Sequence, residues 1–207
     1  MDLNLSGKHI LITGGSKGIG LACAQAFLAE GARVSLVSRS EANLTRARES
    51  LSAFGTDRVQ THAADLTQAA SAQAALDAAI ATFGPVDVLV NSAGAAKRTP
   101  APELSPQAWH DAMQAKYFSY IHMIDPVIKQ MGQRGKGNIV NVVGNGGKVA
   151  SPIHIPGGAA NAALMLVTAG MAAAYGAQGI RVNAVNPGLT LTDRLHEGFA
   201  AEARLQG

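Results

Sequence analysis

The stretch His9-Ile10-Leu11-Ile12-Thr13-Gly14-Gly15-Ser16-Lys17-Gly18-Ile19-Gly20 decides the fold. Its first five residues are a short apolar run that reads as a strand buried on both faces. A glycine-rich turn follows and opens a helix. Gly14 permits a tight turn, Gly18 lets the backbone approach a ligand, and Gly20 lets helix pack on strand. Ser16, Lys17 and Ile19 complete the loop. Free N–H groups at the helix start, backed by the positive end of the helix dipole, then face an anion such as a pyrophosphate. Glycines also serve plain turns, but the strand before and the helix after favour the phosphate reading.

Outward from this stretch, short apolar runs alternate with helix-period segments. Buried strands are expected at Arg33–Val37, Val59–Ala63, Val86–Asn91, Asn138–Val143 and Arg181–Val185. In Ser71–Phe83 the residues Ala72, Leu76, Ala79, Ile80 and Phe83 fall on one helical stripe, and Gly84-Pro85 stops it. Ser105-Pro106 supplies an N-cap and an N1 proline for another helix. Six such strands separated by helices predict an α/β fold: a doubly wound parallel sheet of Rossmann type, in a single domain over residues 1–207.

Composition narrows the function classes. An apolar share of 47% against 15% charged residues gives enough material for a core and excludes a disordered chain. The net charge of +3 is mild and its cations are scattered, without a basic stripe or aromatic platform, so no nucleic-acid partner is expected. Cys23 is the sole cysteine, which excludes a disulfide framework and a cysteine-based zinc site; no metal is expected. Together with an N-terminus lacking a signal-peptide pattern, this predicts a cytoplasmic protein. The most apolar segment, Ala162–Ala174, is shorter than the roughly 20 residues of a membrane span. It reads as a buried core helix, with no membrane association expected.

Four stretches at strand ends carry a resemblance. Thr13–Gly20 fits T-G-x-x-x-G-x-G, Ala64-Asp65-Leu66 follows the third strand, and Asn91-Ser92-Ala93-Gly94 follows the fourth. Arg181-Val182-Asn183-Ala184-Val185-Asn186-Pro187-Gly188-Leu189-Thr190 fits R-V-N-x-x-x-P-G-x-x. In order and placement these resemble the short-chain dehydrogenase/reductase superfamily from about residue 5 to residue 195. The resemblance implies a nicotinamide dinucleotide cofactor, with Asp65 and Leu66 at the adenine, Asn91, Ala93 and Gly94 along the cofactor, and Pro187, Gly188 and Thr190 at the nicotinamide amide. It also implies a small-molecule substrate, not named by the sequence, and a homo-oligomer, dimer or tetramer.

The choice of cofactor rests on the ribose 2′ position. An acid at the end of the second strand favours NAD(H). Here the strand ends Val37-Ser38-Arg39, and the first acid is Glu41. Arg39 can fork onto a 2′-phosphate, with Lys17 as a second cation, so NADP(H) is preferred and NAD(H) remains possible. The alternative is that Arg39 caps a helix or meets solvent.

The resemblance also locates four proton-relay positions, which the family fills with Ser, Tyr, Lys and Asn. The Lys lowers the pKa of a phenol that otherwise titrates near 10. Ile139–Gly144 aligns with I-V-N-x-x-S and puts Gly144 at the serine; thirteen residues on is Gly157, at the tyrosine, and four further is Asn161, at the lysine. Lys116 takes the place of the asparagine, so a divergent member without the relay is expected. Tyr117 and Tyr120 read as packing residues, and Tyr175 marks a helix end. His154 and Lys148 lie in the loop between Gly144 and Gly157. Lys116 and His154 are the only catalytic candidates: Lys116 as donor or space-filler, His154 as general acid or solvated loop residue. Two functions stand open: hydride transfer between nicotinamide and a carbonyl or alcohol at an atypical site, and a catalytically silent NADP(H)-binding sensor or scaffold. The family continues beyond this point with a further strand and a segment that helps form the dimer. The chain stops within an apparent helix, Asp193–Gln206, so residues missing from it are expected.

Overall fold

The computed structural model describes residues 2–94 and 96–192; the expected helix Asp193–Gln206 lies outside the described residues. Among the described residues six parallel strands form one sheet: β1 (His9–Thr13), β2 (Arg33–Ser38), β3 (Val59–Ala63), β4 (Val88–Asn91), β5 (Gly137–Val142) and β6 (Ile180–Val185). Their order is β3-β2-β1-β4-β5-β6, so the winding reverses between β1 and β4. All pairs are parallel, and their carboxyl ends share one edge. In such a sheet the crevice at the reversal is where ligands bind.

The strands are contiguous apolar runs because both faces are covered. Alternate residues go to opposite sides. Ile10, Ile12, Val34 and Leu36 meet α1 (Gly18–Ala29) and α2 (Glu41–Ser50) on one face. Leu11, Leu89 and Ile139 meet α3 (Ala69–Phe83) and α5 (Ser119–Arg134) on the other. Helix boundaries follow the local chemistry. Ser105 Oγ accepts from Ala108 N at 3.2 Å ahead of Pro106, opening α4 (Pro106–Ala112). Gly84 ends α3 with φ +78°, a conformation that favours glycine. Between α4 and α5 the turns widen to a π-helical segment, Met113–Phe118, which carries Lys116. π-Helical turns recur at functional sites.

The apolar helix near the C-terminal side departs from expectation. It is α6, Ile155–Tyr175, with 21 residues rather than the stretch Ala162–Ala174. Pro156 sits in the first turn, where its missing N–H costs nothing, and Gly157-Gly158 are tolerated there too. Nor is it a buried core helix: only 28% of its most apolar window is buried, and by length and composition it could cross a membrane. One face, through Ala160, Leu164 and Thr168, packs into the fold, while Leu166 is 76% exposed on the other.

A row of buried polar side chains crosses the sheet near its carboxyl edge. Thr13 Oγ1 donates to Asn91 Oδ1 at 3.3 Å, Asn91 Nδ2 to Asn141 Oδ1 at 3.0 Å, and Asn141 Nδ2 to Thr168 Oγ1 at 3.0 Å. At the opposite edge His9 is fully buried, bonded to Gly84 O at 2.7 Å and Ser35 Oγ at 2.6 Å. Burial pushes its imidazole below the usual histidine value, against the opposing effect of its hydrogen bond to the Gly84 carbonyl. Burial also lowers His62 on β3.

Candidate functional site

A cleft of about 1190 Å³ runs along the carboxyl edge of the sheet. Residues just after all six strands line it: Gly14, Arg39, Ala64, Ser92, Val143 and Pro187 among them. It exceeds the roughly 300–1,000 Å³ of an ordinary small-molecule pocket, so a dinucleotide and a substrate fit together.

The first half of the cleft is built on backbone. Gly14 (φ +65°) lies so close to the end of β4 that a Cβ would sit 2.7 Å from Ser92 O. A Cβ on Gly20 would overlap Gly14 O, so Gly20 serves helix–loop packing and lies outside the cleft lining. Gly18 (φ +56°) is open, with only Thr192 within 4 Å of a Cβ. The N-terminus of α1 has no side-chain cap and no acid in its first turn. Its N–H groups and positive dipole end therefore remain available to a phosphate, and the loop fits a pyrophosphate. Ser16 Oγ donates to Ser38 Oγ at 2.9 Å, tying the loop to the end of β2. Lys17 and Arg39 line the cleft and are exposed. Arg39 does not cap α2; Ser40 does, accepting from Asn43 N at 3.2 Å.

The remaining expected contacts divide. Ile19, Asp65, Leu66, Ala93, Gly94, Pro187, Gly188 and Thr190 line the cleft. Asp65 Oδ1 is engaged by Thr67 N and Thr67 Oγ1 at 3.0 and 2.9 Å, an Asx turn that fixes the loop after β3. Asn91 is fully buried in the polar row and does not line the cleft. Its role here is to hold the end of β4 in place, together with Thr13 Oγ1, which accepts from Ser92 N and Ala93 N.

In the second half, Lys116, Gly144, Asn161 and His154 all line the same cleft. Lys116 is 8% exposed. Its Nζ donates to Tyr120 Oη at 2.9 Å and to Val142 O at 3.1 Å, at the end of β5. Tyr120 is buried as a packing residue, and its hydroxyl also donates to Val142 O at 2.6 Å. Gly144 has φ +120°, and a Cβ there would lie 3.3 Å from Asn161 Nδ2. A Cβ on Gly157 would overlap the His154 ring. Asn161 is 6% exposed, and its Oδ1 has no hydrogen-bond partner among the described residues.

Sequence reasoning missed several members. Arg98, Asn43, Thr67 and Ser119 also line the cleft. Arg98 lies in an irregular loop, where no periodicity points inward. Asn141 and Thr168 carry a polar group in otherwise apolar runs, the one signal that marks a buried network.

Fold and cleft together define an α/β dinucleotide-binding protein, with the ligand edge at the carboxyl ends of a parallel sheet. The short chain dehydrogenase family matches residues 8–203, and the chain belongs to this family of oxidoreductases. D-threitol dehydrogenase of Mycolicibacterium smegmatis is 38% identical over 200 residues, covering 96% of this chain and 76% of that protein. Among solved structures, an actinorhodin polyketide ketoreductase with NADPH superposes with a TM-score of 0.92 at 29% identity, covering 99% of this chain and 78% of that one. An NADPH-bound short-chain oxidoreductase from Pseudomonas aeruginosa PAO1, described as containing an atypical catalytic centre, gives 0.87 at 29% identity, with 94% and 76% covered. NAD+-bound xylitol dehydrogenase gives 0.85 at 26% identity, with 89% and 71% covered. These neighbours bind NADPH or NAD+, which supports a nicotinamide cofactor here.

Proposed function

We propose that this chain is an NADP(H)-preferring oxidoreductase that interconverts a carbonyl and an alcohol at an atypical active site. The observation that carries the reading is the uncapped, acid-free N-terminus of α1 opening into a cleft lined by the ends of all six strands. The loop from Gly14 to Ile19 would hold the pyrophosphate. Lys17 and Arg39 would hold a 2′-phosphate, and Pro187 to Thr190 the carboxamide. The bound nicotinamide supplies or accepts the electron pair as hydride. The protein orients the two reactants and excludes water between them.

The site is atypical because the positions aligned with the family's serine and tyrosine are Gly144 and Gly157, and the lysine position is Asn161. Glycine offers no proton, which also favours a second reading: a catalytically silent NADP(H)-binding sensor or scaffold. A single-turnover assay of NADPH oxidation with ketones, quinones and acyl thioesters separates the two. The enzyme reading expects turnover of at least one carbonyl class. NADPH binding with no oxidation by any of them would leave the sensor. The exposed apolar face of α6 around Leu166 suits contact with a second copy of the chain in a homo-oligomer. The single cysteine, whose thiol burial pushes up, suits a reducing compartment such as the cytoplasm.

A further inference from the structure

Five glycines lie between residues 144 and 158; at the junction of β5 and α6 there is space for a Cβ at Gly144 and Gly146, whereas one at Gly147, Gly157 or Gly158 would press on a neighbour. Two polar side chains border that space. Asn161 Nδ2 lies 3.3 Å from where a Cβ of Gly144 would stand and 3.5 Å from that of Gly146. The His154 ring lies directly over Gly157, its Nδ1 2.8 Å from the Cβ position, and its Cδ2 lies 3.6 Å from the Cβ position of Gly146. The imidazole therefore stands where a side chain of residue 157 would begin.

The backbone fixes His154 in place. Its N–H donates to Ser151 O at 3.0 Å, and its carbonyl accepts from Gly158 N at 2.8 Å. Next to it, Ile153 O accepts from Thr99 N at 3.0 Å, bracing the loop against the segment after β4. Among the described residues lining the cleft, the other charged side chains are Lys17, Arg39, Asp65, Arg98 and Lys116. None of those types changes charge near neutrality in its ordinary state, whereas imidazole does. A phenol acid needs a neighbouring cation to work near neutrality; an imidazole does not. A neutral Asn161 in place of a lysine is consistent with a histidine donor.

We propose that His154 is the general acid and base of this site, seated there because residue 157 is glycine. The inference rests on the oxidoreductase reading above. In the reducing direction the carbonyl carbon takes the hydride and its electron pair, and the C=O π bond opens toward oxygen. That oxygen takes the proton from the His154 imidazolium, directly or through one water, and the imidazole regains a proton from solvent. One carbonyl, one NADPH and one proton give one alcohol and one NADP+. Asn161 Oδ1, buried and without a partner among the described residues, is the acceptor that would orient the substrate hydroxyl.

Three versions of the chain test this: wild type, His154→Gly and Gly157→Ala. The alanine variant keeps the histidine but evicts its ring, and alanine suits a helical first turn. NADPH affinity, read by fluorescence titration, should stay within about threefold in all three, because the pyrophosphate loop is untouched. Single-turnover NADPH oxidation by the panel ketones should fall about 10²–10⁴-fold in both variants. Free imidazole should restore His154→Gly and not Gly157→Ala, an outcome that a purely structural role would not give. One readout needs neither turnover nor a variant. Diethyl pyrocarbonate should modify His154 in the wild-type protein, read by peptide mass, and saturating NADP+ should slow that at least tenfold.

Full turnover in Gly157→Ala, or absence of imidazole rescue, overturns the assignment. So does modification of His154 that NADP+ leaves unchanged while the cofactor is shown to bind. Failure of the wild type to oxidise NADPH with any carbonyl overturns the enzyme reading itself and this assignment with it. Failure of the wild type to bind NADPH in the titration overturns the cofactor reading and this assignment with it.

Discussion

The cleft's two halves both depend on glycine and use it in opposite ways. From Gly14 to Gly18 the missing side chains are what the proposed cofactor site uses, and at Gly20 the missing side chain serves packing. They allow positive φ at Gly14 and Gly18, contact with the end of β4, and approach of a ligand to bare N–H groups. From Gly144 to Gly158 the missing side chains let neighbouring groups close in: a Cβ at residue 147, 157 or 158 would meet Ala162 N, the His154 ring or Gly146 O. A phosphate can be bound by backbone, but a proton has to be carried by a side chain. On the reading proposed above, a half-site without its own side chains takes them from neighbours; His154, Asn161 and Lys116 line this part of the cleft. On that reading glycine binds in one half and yields its place to other side chains in the second.

The sharpest way to break the comparison is to add a charge to the backbone half. Gly18→Asp puts a carboxylate where the pyrophosphate would lie and asks aspartate to adopt φ +56°. Repulsion of about 4 kcal/mol at 4 Å, at an effective dielectric of about 20, corresponds to roughly three decades in NADPH affinity. Fluorescence titration of the folded variant reads it; unchanged affinity would remove the loop from the binding site. A smaller loss should follow Arg39→Ala. Losing a charge-assisted fork costs about 1.5–3 kcal/mol, one to two decades for NADPH. NADH affinity should stay the same, and equal losses for both cofactors would deny Arg39 a 2′-phosphate.

The third prediction concerns the frame that both halves share. Asn141→Ala strands Asn91 Nδ2 and removes a donor from Thr168 in the buried row. An unsatisfied buried group costs about 1–3 kcal/mol. At about 2–4 °C per kcal/mol for a chain of this size, thermal melting should drop by roughly 2–12 °C. A drop of less than about 1 °C would mean that the row contributes little.

The smallest effect is far from the cleft. His9 titrates below its unfolded value because burial disfavours its charged form. The unfolded chain therefore binds more protons as pH falls, and stability is lost below about 6.5 and down through the folded value. Each such histidine adds a slope of at most about 1.4 kcal/mol per pH unit. His62 is lowered in the same sense, so His9→Gln should reduce but not abolish the acid slope in urea melts. An unchanged slope would show that His9 takes up its proton equally in the folded and the unfolded chain.

Where glycine acts through backbone, the sequence was legible. Thr13 to Gly20, the six strand runs and Gly84 state φ and packing requirements in residue type alone. Strand limits moved by one or two residues, as with β4 starting at Val88 rather than Val86. Where glycine leaves a vacancy, the sequence was silent about what fills it. Nothing in residues 144–158 says that His154 folds over Gly157, because that depends on the backbone path of a loop. The placement of Asn91 in the buried row was hidden for a related reason. Its motif placed it at a strand end, but only the alternation of faces there turns it toward Asn141 and away from the cleft. α6 extends beyond Ala162–Ala174 because that stretch marks only its most apolar part, and a first helical turn tolerates Pro156, Gly157 and Gly158.

The buried row from Thr13 to Thr168 has one more consequence. A sheet covered on both faces has little protection against misalignment. Sliding one strand past its neighbour by a residue sends each apolar side chain to the other face, which is equally dry. Val, Leu and Ile cannot tell the two alignments apart. Thr13, Asn91 and Asn141 stand directly opposite one another on β1, β4 and β5. A slip of one residue would pull every amide in that row from its partner and set it against a hydrocarbon side chain. The row works as an index mark that permits a single alignment of the three central strands. It thereby sets the endpoints of the loops that meet above them, including the glycine turn after β1 and the loop leading from β5 toward His154.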